Sequence, residues 1–106
     1  MIGPNFQPIG TATLHWLPPS QGGRRAVPRG PFYAATARFD PHILDEDLSI
    51  VLKYLRSSVA FGEGFDAEFG FLMPELIVGR LKSGLRFTVK EGPRMVAEGV
   101  VKEVRM

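Results

Sequence analysis

The sequence predicts an all-β domain in which short antiparallel strands form a barrel or a sandwich. Several segments alternate apolar and polar residues as half-buried strands do, and glycines and prolines separate these segments at short intervals. Residues 84–104 show both features most clearly, because a strand-like run, a Gly-Pro turn and a second strand-like run follow one another. Closure of the sheet into a barrel would protect its edges.

Length and composition indicate one globular domain with a single core. The chain has 106 residues, of which 44% are hydrophobic and 23% are charged, and these are ordinary globular values. Residues 1–9 contain two prolines and show no periodicity, so we predict a flexible N-terminal arm there. We assign residues 10–106 to the single β-barrel domain.

The first two predicted strands lie on either side of a polar loop. In 10–17, Ala12, Leu14 and Trp16 alternate with polar residues, and we expect Trp16 in the core. In 32–39, alanines stand between aromatic residues and would let a neighbouring backbone or a partner approach closely.

Residues 43–56 fit two structures. An apolar stripe at helical spacing consists of Leu44, Leu48, Val51, Leu52 and Leu55. An overlapping alternation typical of a strand consists of Leu48, Ile50, Leu52 and Tyr54. Local propensity does not decide, because leucine favours a helix whereas β-branched and aromatic residues favour a strand.

The second half of the chain predicts three more strands. In residues 65–71, one face contains four apolar side chains, Phe65, Ala67, Phe69 and Phe71, which require an opposing apolar layer. Residues 74–82 are predicted to cross one end of the barrel rather than to form a helical turn. The strands 84–90 and 95–104 form the terminal hairpin, and Gly99 is predicted to mark a β-bulge in the last strand.

Composition excludes several classes of protein. The chain has no cysteine, so disulfides, thiolate zinc sites and cysteine nucleophiles are absent. It contains no apolar run approaching ~20 residues and no basic N-terminal region followed by a long apolar run. We therefore expect a cytoplasmic location and no membrane partner.

No residue pattern indicates catalysis. The sequence lacks the phosphate-binding pattern G-x-x-x-x-G-K-[ST] and a serine in a nucleophile elbow, and His15 and His42 stand far apart without a ligand-like pattern. We expect no catalytic residue, no cofactor, no metal and no nucleotide. An enzyme of unknown chemistry is the alternative, and a deep polar pocket would support it.

Residues 19–31 form a polar loop that contains Arg24, Arg25 and Arg29 and no carboxylate. Arginine side chains and exposed backbone N–H groups both bind phosphate oxygens well. Solvated connecting loops often carry charges too. The loop is therefore either a solvated connection or an anion-binding element.

The terminal hairpin resembles the C-terminal β-barrel domain of elongation factor Tu. In both, a strand is followed by a Glu-Gly turn, an arginine and a Gly-Val-Val strand, which correspond here to Glu91, Gly92, Arg94 and 99–101. The resemblance covers roughly residues 10–104 and is specific mainly in the last twenty.

Two further short motifs resemble the same domain. Gly22-Gly23-Arg24 is similar to its Gly-Gly-Arg, and Met73-Pro74 is similar to its Met-Pro. The resemblance implies a six-stranded antiparallel closed β-barrel, in which residues 48–55 form a strand. The GTPase domain of the family has no counterpart in these 106 residues.

The resemblance also implies a binding function. In the family, this barrel packs against neighbouring domains and contacts the backbone of the tRNA T stem, and Glu91 and Gly92 match the turn implicated in that contact. Two departures weaken phosphate binding: Pro93 lacks a backbone donor, and Glu98 adds a negative charge.

We therefore expect a non-enzymatic, translation-related binding module that interacts with another protein. The alternative is binding to the backbone of a tRNA-like RNA through the arginine loop and the terminal hairpin. The candidate contact residues are Gly22, Gly23, Arg24, Arg25, Arg29, Lys90, Glu91, Gly92 and Arg94.

Overall fold

Six antiparallel strands form a closed barrel in a computed structural model that describes residues 6–29, 31–40, 47–54, 59–72, 77 and 79–105. The described residues contain no α-helix and one short 3-10 helix, Pro19–Gln21. The strands are β1 (Gly10–Trp16), β2 (Phe32–Asp40), β3 (Leu48–Lys53), β4 (Phe65–Phe71), β5 (Arg86–Glu91) and β6 (Arg94–Val104).

The strand order is β1-β4-β3-β2-β5-β6, and β6 pairs back to β1 to close the sheet. This confirms the predicted fold class, a six-stranded antiparallel closed barrel. It also confirms a strand at residues 48–53, where the local pattern allowed a helix as well. The remaining residues of that ambiguous segment lie outside the described residues, apart from Asp47 and Tyr54.

The core is filled by the inward-facing residues of all six strands. Ala12, Leu14 and Trp16 of β1 are buried, as their alternation predicts. Phe69 of β4 is fully buried, and it packs against Phe87 of β5 across the barrel with ring centroids 6.3 Å apart. Burial of these large aromatic and aliphatic surfaces supplies the main stabilisation of the barrel.

The β-bulges of β6 do not lie at Gly99, so that prediction is wrong. Gly99 pairs regularly with Phe87 and Leu14, and the register shifts fall near Val96 and Lys102 instead. A Cβ at Gly99 would stand 2.6 Å from Cζ of Phe87. Gly99 is therefore required for the close approach of the Phe87 ring.

The two ends of the barrel differ in their loops. Trp16, Phe65, Glu91 and Arg94 lie at one end, which we call the arginine end because it also receives the loop 17–31. The opposite end of the barrel contains Asp40, the last residue of β2, and the remaining strand termini. The segment 74–82, which was predicted to cross one end of the barrel, lies partly outside the described residues. Among its described residues, Ile77 and Leu81 are buried in the core.

The end of the predicted N-terminal arm lies against the barrel, whereas residues 1–5 lie outside the described residues. The amide of Ile9 donates to the carbonyl of Phe69 at 2.8 Å, and the amide of Arg105 donates to the carbonyl of Ile9 at 2.8 Å. Phe6 packs edge-on against Phe32 with ring centroids 5.7 Å apart. No helix among the described residues has the length and apolar character of a membrane span.

Substitution of Gly99 by alanine tests the packing of the Phe87 ring. The added Cβ would overlap this ring, so we expect Gly99→Ala to lower the free energy of unfolding by about 1–3 kcal/mol in urea denaturation. Gly64→Ala is the matched control, because its Cβ would meet nothing closer than the methyl group of Thr13 at 3.9 Å. Equal stability of the two variants would contradict this account of Gly99.

Candidate functional site

The loop that follows β1 folds back over the arginine end. The 3-10 helix ends at Gly22, whose φ of +86° is accessible mainly to glycine. The amides of Gly22 and Gly23 donate to the carbonyls of Pro19 and Pro18, each at 3.0 Å. Both predicted phosphate-binding amides are therefore engaged within the loop, and the two glycines serve to position Arg24.

Arg24, Tyr33 and Glu91 form a hydrogen-bonded group that we call the Arg24 cluster. The Nη1 atom of Arg24 donates to Oε2 of Glu91 at 2.5 Å, and the hydroxyl of Tyr33 donates to the same carboxylate oxygen. The guanidinium carbon of Arg24 lies 5.9 Å from the centroid of the Tyr33 ring, within the range of a cation–π contact. The cluster thereby joins the loop to β2 and β5.

The members of the Arg24 cluster stabilise one another's charge states. Burial raises the pKa of Glu91, but hydrogen bonds from Tyr33 and Arg24 outweigh this effect, and the net pKa is lowered. The hydrogen bond to Glu91 raises the pKa of Arg24, and burial together with Glu91 raises that of Tyr33. At neutral pH the cluster therefore contains one positive charge, one negative charge and a neutral phenol.

Aromatic side chains form a layer beneath the loop. Trp16 packs edge-on against Tyr33 with centroids 5.2 Å apart, and it stacks on Phe65 at 5.6 Å. The hydroxyl of Tyr54 donates to the carbonyl of Pro28 at 2.9 Å. The loop is therefore fixed at two points, by the Arg24 cluster and by Tyr54.

Three predicted contact residues of the arginine end are exposed, namely Arg25, Arg29 and Arg94. None of them forms an ion pair within 4.0 Å with a residue that the structure describes. Gly92 completes this end, because its φ of +62° and the fixed φ of Pro93 suit the two central positions of a type II′ turn. The loop and the hairpin turn thus lie at the same end of the barrel, as they must if residues of both belong to one contact surface.

Lys90 belongs to a different cluster, on the outer wall of the barrel. Its Nζ atom lies 3.1 Å from Oδ2 of Asp47, whose Oδ1 accepts a hydrogen bond from Nε of Arg38 at 2.7 Å. Burial raises the pKa of Asp47, but Lys90 and Arg38 together lower it below its ordinary value. Lys90 is therefore engaged away from the other candidate contact residues.

A cavity of about 650 Å³ lies along the outer wall of β1 and β4. Its carboxylate Asp66 accepts hydrogen bonds from Thr13 and Lys102, each at 2.9 Å. Among the described residues, no group of three or more histidines and carboxylates is arranged to hold a metal ion. The arginine end is the candidate functional site because the predicted contact residues other than Lys90 lie there.

Tyr33 and Tyr54 also belong to this site, although no motif in the sequence indicates them. Glu91 was identified, but as a residue of the turn and not as the partner of Arg24. The two residues are 67 positions apart, and no local pattern connects them. The one available signal was the alternation along β5, which places Lys90 and Glu91 on opposite faces of the strand.

Glu91→Gln tests whether the Arg24 cluster holds the loop. The substitution removes a charge from a pair whose side chains are about one-third exposed, so we expect a loss of about 1 kcal/mol in the free energy of unfolding. Trp16 is the single tryptophan, and acrylamide should quench its fluorescence more strongly in this variant. Glu103→Gln, at an exposed carboxylate of β6, is the control and should leave quenching unchanged.

The stability difference between wild type and Glu91→Gln should also depend on pH. The pKa of Glu91 is lower in the folded protein than in the unfolded chain, so its contribution is complete above the unfolded pKa of about 4.5 and is lost as pH falls through the folded pKa. The difference should therefore be constant near neutrality and shrink below pH 4.5. A difference that grows on acidification would contradict the cluster.

Neither a protein-family model nor a curated protein matches this chain. Its function is therefore inferred from the barrel and from the residues at the arginine end.

Proposed function

We propose that this protein is a non-enzymatic binding module that contacts a partner protein through the arginine end. The observation that carries the proposal is the exposure of Arg25, Arg29 and Arg94 on one end of the barrel, without an ion-pair partner among the described residues. Arginine is enriched in protein interfaces, where it anchors contacts through its planar group of donors.

The charge distribution supports the choice of this end. The whole chain carries a formal net charge of only +2. Arg25, Arg29 and Arg94 alone place three exposed positive charges at the arginine end, without an ion-pair partner within 4.0 Å among the described residues. Such a surface attracts a partner with a complementary acidic patch and accelerates its association.

The resemblance to the C-terminal barrel of elongation factor Tu supports the same function. We propose that the chain is a stand-alone, translation-related relative of that barrel, which in the family packs against neighbouring domains. The supporting features are the Glu-Gly turn at Glu91 and Gly92, the Gly-Gly-Arg at 22–24 and the six-stranded closed barrel. Contact through loops on a rigid barrel requires no reaction centre.

Capture of partners from the native cell tests the protein-binding role. We expect the wild-type barrel to retain a specific protein after cross-linking, and the Arg25→Ala/Arg29→Ala/Arg94→Ala variant to retain at least tenfold less, because its interface arginines are missing. The control, Lys82→Ala/Arg86→Ala/Lys102→Ala, loses the same charge away from the arginine end and should retain the partner. Equal retention by the two triple variants would contradict the proposal.

Binding to an RNA backbone is the second candidate function. The observation that favours it is that the arginine loop lies at the same end of the barrel as the hairpin turn, which resembles a tRNA-contacting segment. The engaged carboxylate of Glu91 opposes it only weakly, because Arg24 neutralises that charge. Arg25, Arg29 and Arg94 would supply the phosphate contacts.

Fluorescence anisotropy with labelled tRNA tests this second function. If three phosphate contacts form, a plot of log K against the logarithm of the salt concentration should have a slope of about −2 to −3. The affinity should then fall by a factor of roughly 16 to 64 between 50 and 200 mM salt. The Arg25→Ala/Arg29→Ala/Arg94→Ala variant should abolish most of this slope, and the Lys82→Ala/Arg86→Ala/Lys102→Ala control should keep it. Absence of binding at low salt would exclude this role.

A further inference from the structure

Glu91 and Tyr33 form a receptor for a guanidinium group. The Glu91 carboxylate accepts a charged hydrogen bond at 2.5 Å, and the Tyr33 ring lies 5.9 Å from the guanidinium carbon. A carboxylate and an aromatic ring are the two groups that bind a planar cation best. Arg24 occupies this receptor in the isolated chain.

The two receptor residues lie on strands of the barrel, whereas Arg24, which occupies the receptor, lies on a loop. Tyr33 and Glu91 stand on paired strands, and Tyr33 also packs against the buried Trp16. Arg24 instead stands on a loop directly after two glycines and before the exposed Arg25. The strands of the barrel therefore position Tyr33 and Glu91 independently of the loop that contains Arg24.

Solvent already reaches the pair. The side chains of Arg24 and Glu91 are 35% and 32% exposed, so exchange of the occupant does not require the barrel to unfold. Departure of Arg24 would leave Glu91 half-buried without its closest cation, which is unfavourable until another cation replaces it. The receptor is thus selective for a ligand of the same chemistry.

We propose that the Tyr33–Glu91 receptor binds an arginine side chain of a partner protein, and that Arg24 occupies it until that partner displaces the loop. This inference rests on the proposed protein-binding function and specifies how the partner is recognised. Displacement frees Arg24 beside Arg25 and Arg29, so the partner arginine should be flanked by carboxylates.

Because Arg24 already occupies the receptor, a partner arginine must compete with it for binding. A side chain on a short loop competes at an effective concentration on the order of millimolar, so a free arginine side chain binds the wild type only weakly. Only a partner with additional contacts displaces it. Removal of Arg24 should accordingly increase the affinity of the receptor for an added guanidinium.

The test removes the resident guanidinium and supplies a free one. In Arg24→Ala, about 50 mM N-ethylguanidinium should raise Tm by about 4 °C relative to the same concentration of NaCl, because a ligand of the folded state stabilises it by mass action. The wild type, Arg25→Ala and Arg24→Ala/Glu91→Gln should show no such rise. If Arg24→Ala does not fold, Arg24→Gln replaces it in the same titration.

A peptide titration then tests recognition of a partner arginine. The probes are acetyl-Glu-Arg-Glu-amide and its lysine counterpart, and Trp16 fluorescence reports binding. We expect the arginine peptide to bind Arg24→Ala at least tenfold more tightly than wild type, and the lysine peptide to bind both weakly. Equal affinities for wild type and Arg24→Ala would overturn the proposal.

The two experiments separate this inference from the proposed function. Absence of the guanidinium-specific rise in Tm, or an equal rise in Arg24→Ala/Glu91→Gln, would overturn the receptor and leave a protein-binding role of Arg25, Arg29 and Arg94 intact. A rise in Tm without any captured partner would instead contradict the proposed function, and with it the partner arginine, but would leave the guanidinium-binding site itself intact.

Discussion

Closure of the sheet by β6 is the constraint on which the rest of the structure depends. β6 pairs with β5 along one edge and with β1 along the other, so it joins the first strand of the chain to the last hairpin. Two register shifts, near Val96 and Lys102, let this long strand bend and follow the curvature of the barrel. Because the sheet is closed, no strand edge is left open among these pairs, and the loops project from the two ends of the barrel.

The strands could be predicted from the sequence where one face is buried and the other is solvated. Alternation of apolar residues identified β4 and β5 because each has one apolar face toward the core. Alternation could not distinguish a strand from a helix at β3. Val51 is buried on the outer face of this strand, so apolar residues also recur there at helical spacing. The sequence pattern also misassigned Gly99, where the absence of a side chain leaves room for the Phe87 ring of β5. Close packing of this kind depends on the tertiary structure and leaves no local signal in the sequence.

The candidate site could be predicted in its parts but not in its connections. The arginine loop and the Glu-Gly turn are visible in the sequence because each is a short local motif. The ion pair between Arg24 and Glu91 depends on the end of β1, the start of β2 and the end of β5 lying at the same side of the barrel, which only the strand order determines. This pairing separates the arginines into two kinds: Arg24 pairs with Glu91 and holds the loop, whereas Arg25, Arg29 and Arg94 are exposed to solvent.

The hydrogen bond between the amide of Arg105 and the carbonyl of Ile9 has a topological consequence. It holds the beginning of β1 beside the end of β6, at the side of the barrel that faces away from Arg24. Because Ile9 and Arg105 are neighbours, a short peptide can join these two positions without distortion of the domain, and new ends can then be introduced elsewhere. Residues 9–105 are therefore suited to circular permutation, and to insertion as a unit into a loop of a host protein, with the arginine end still directed outward.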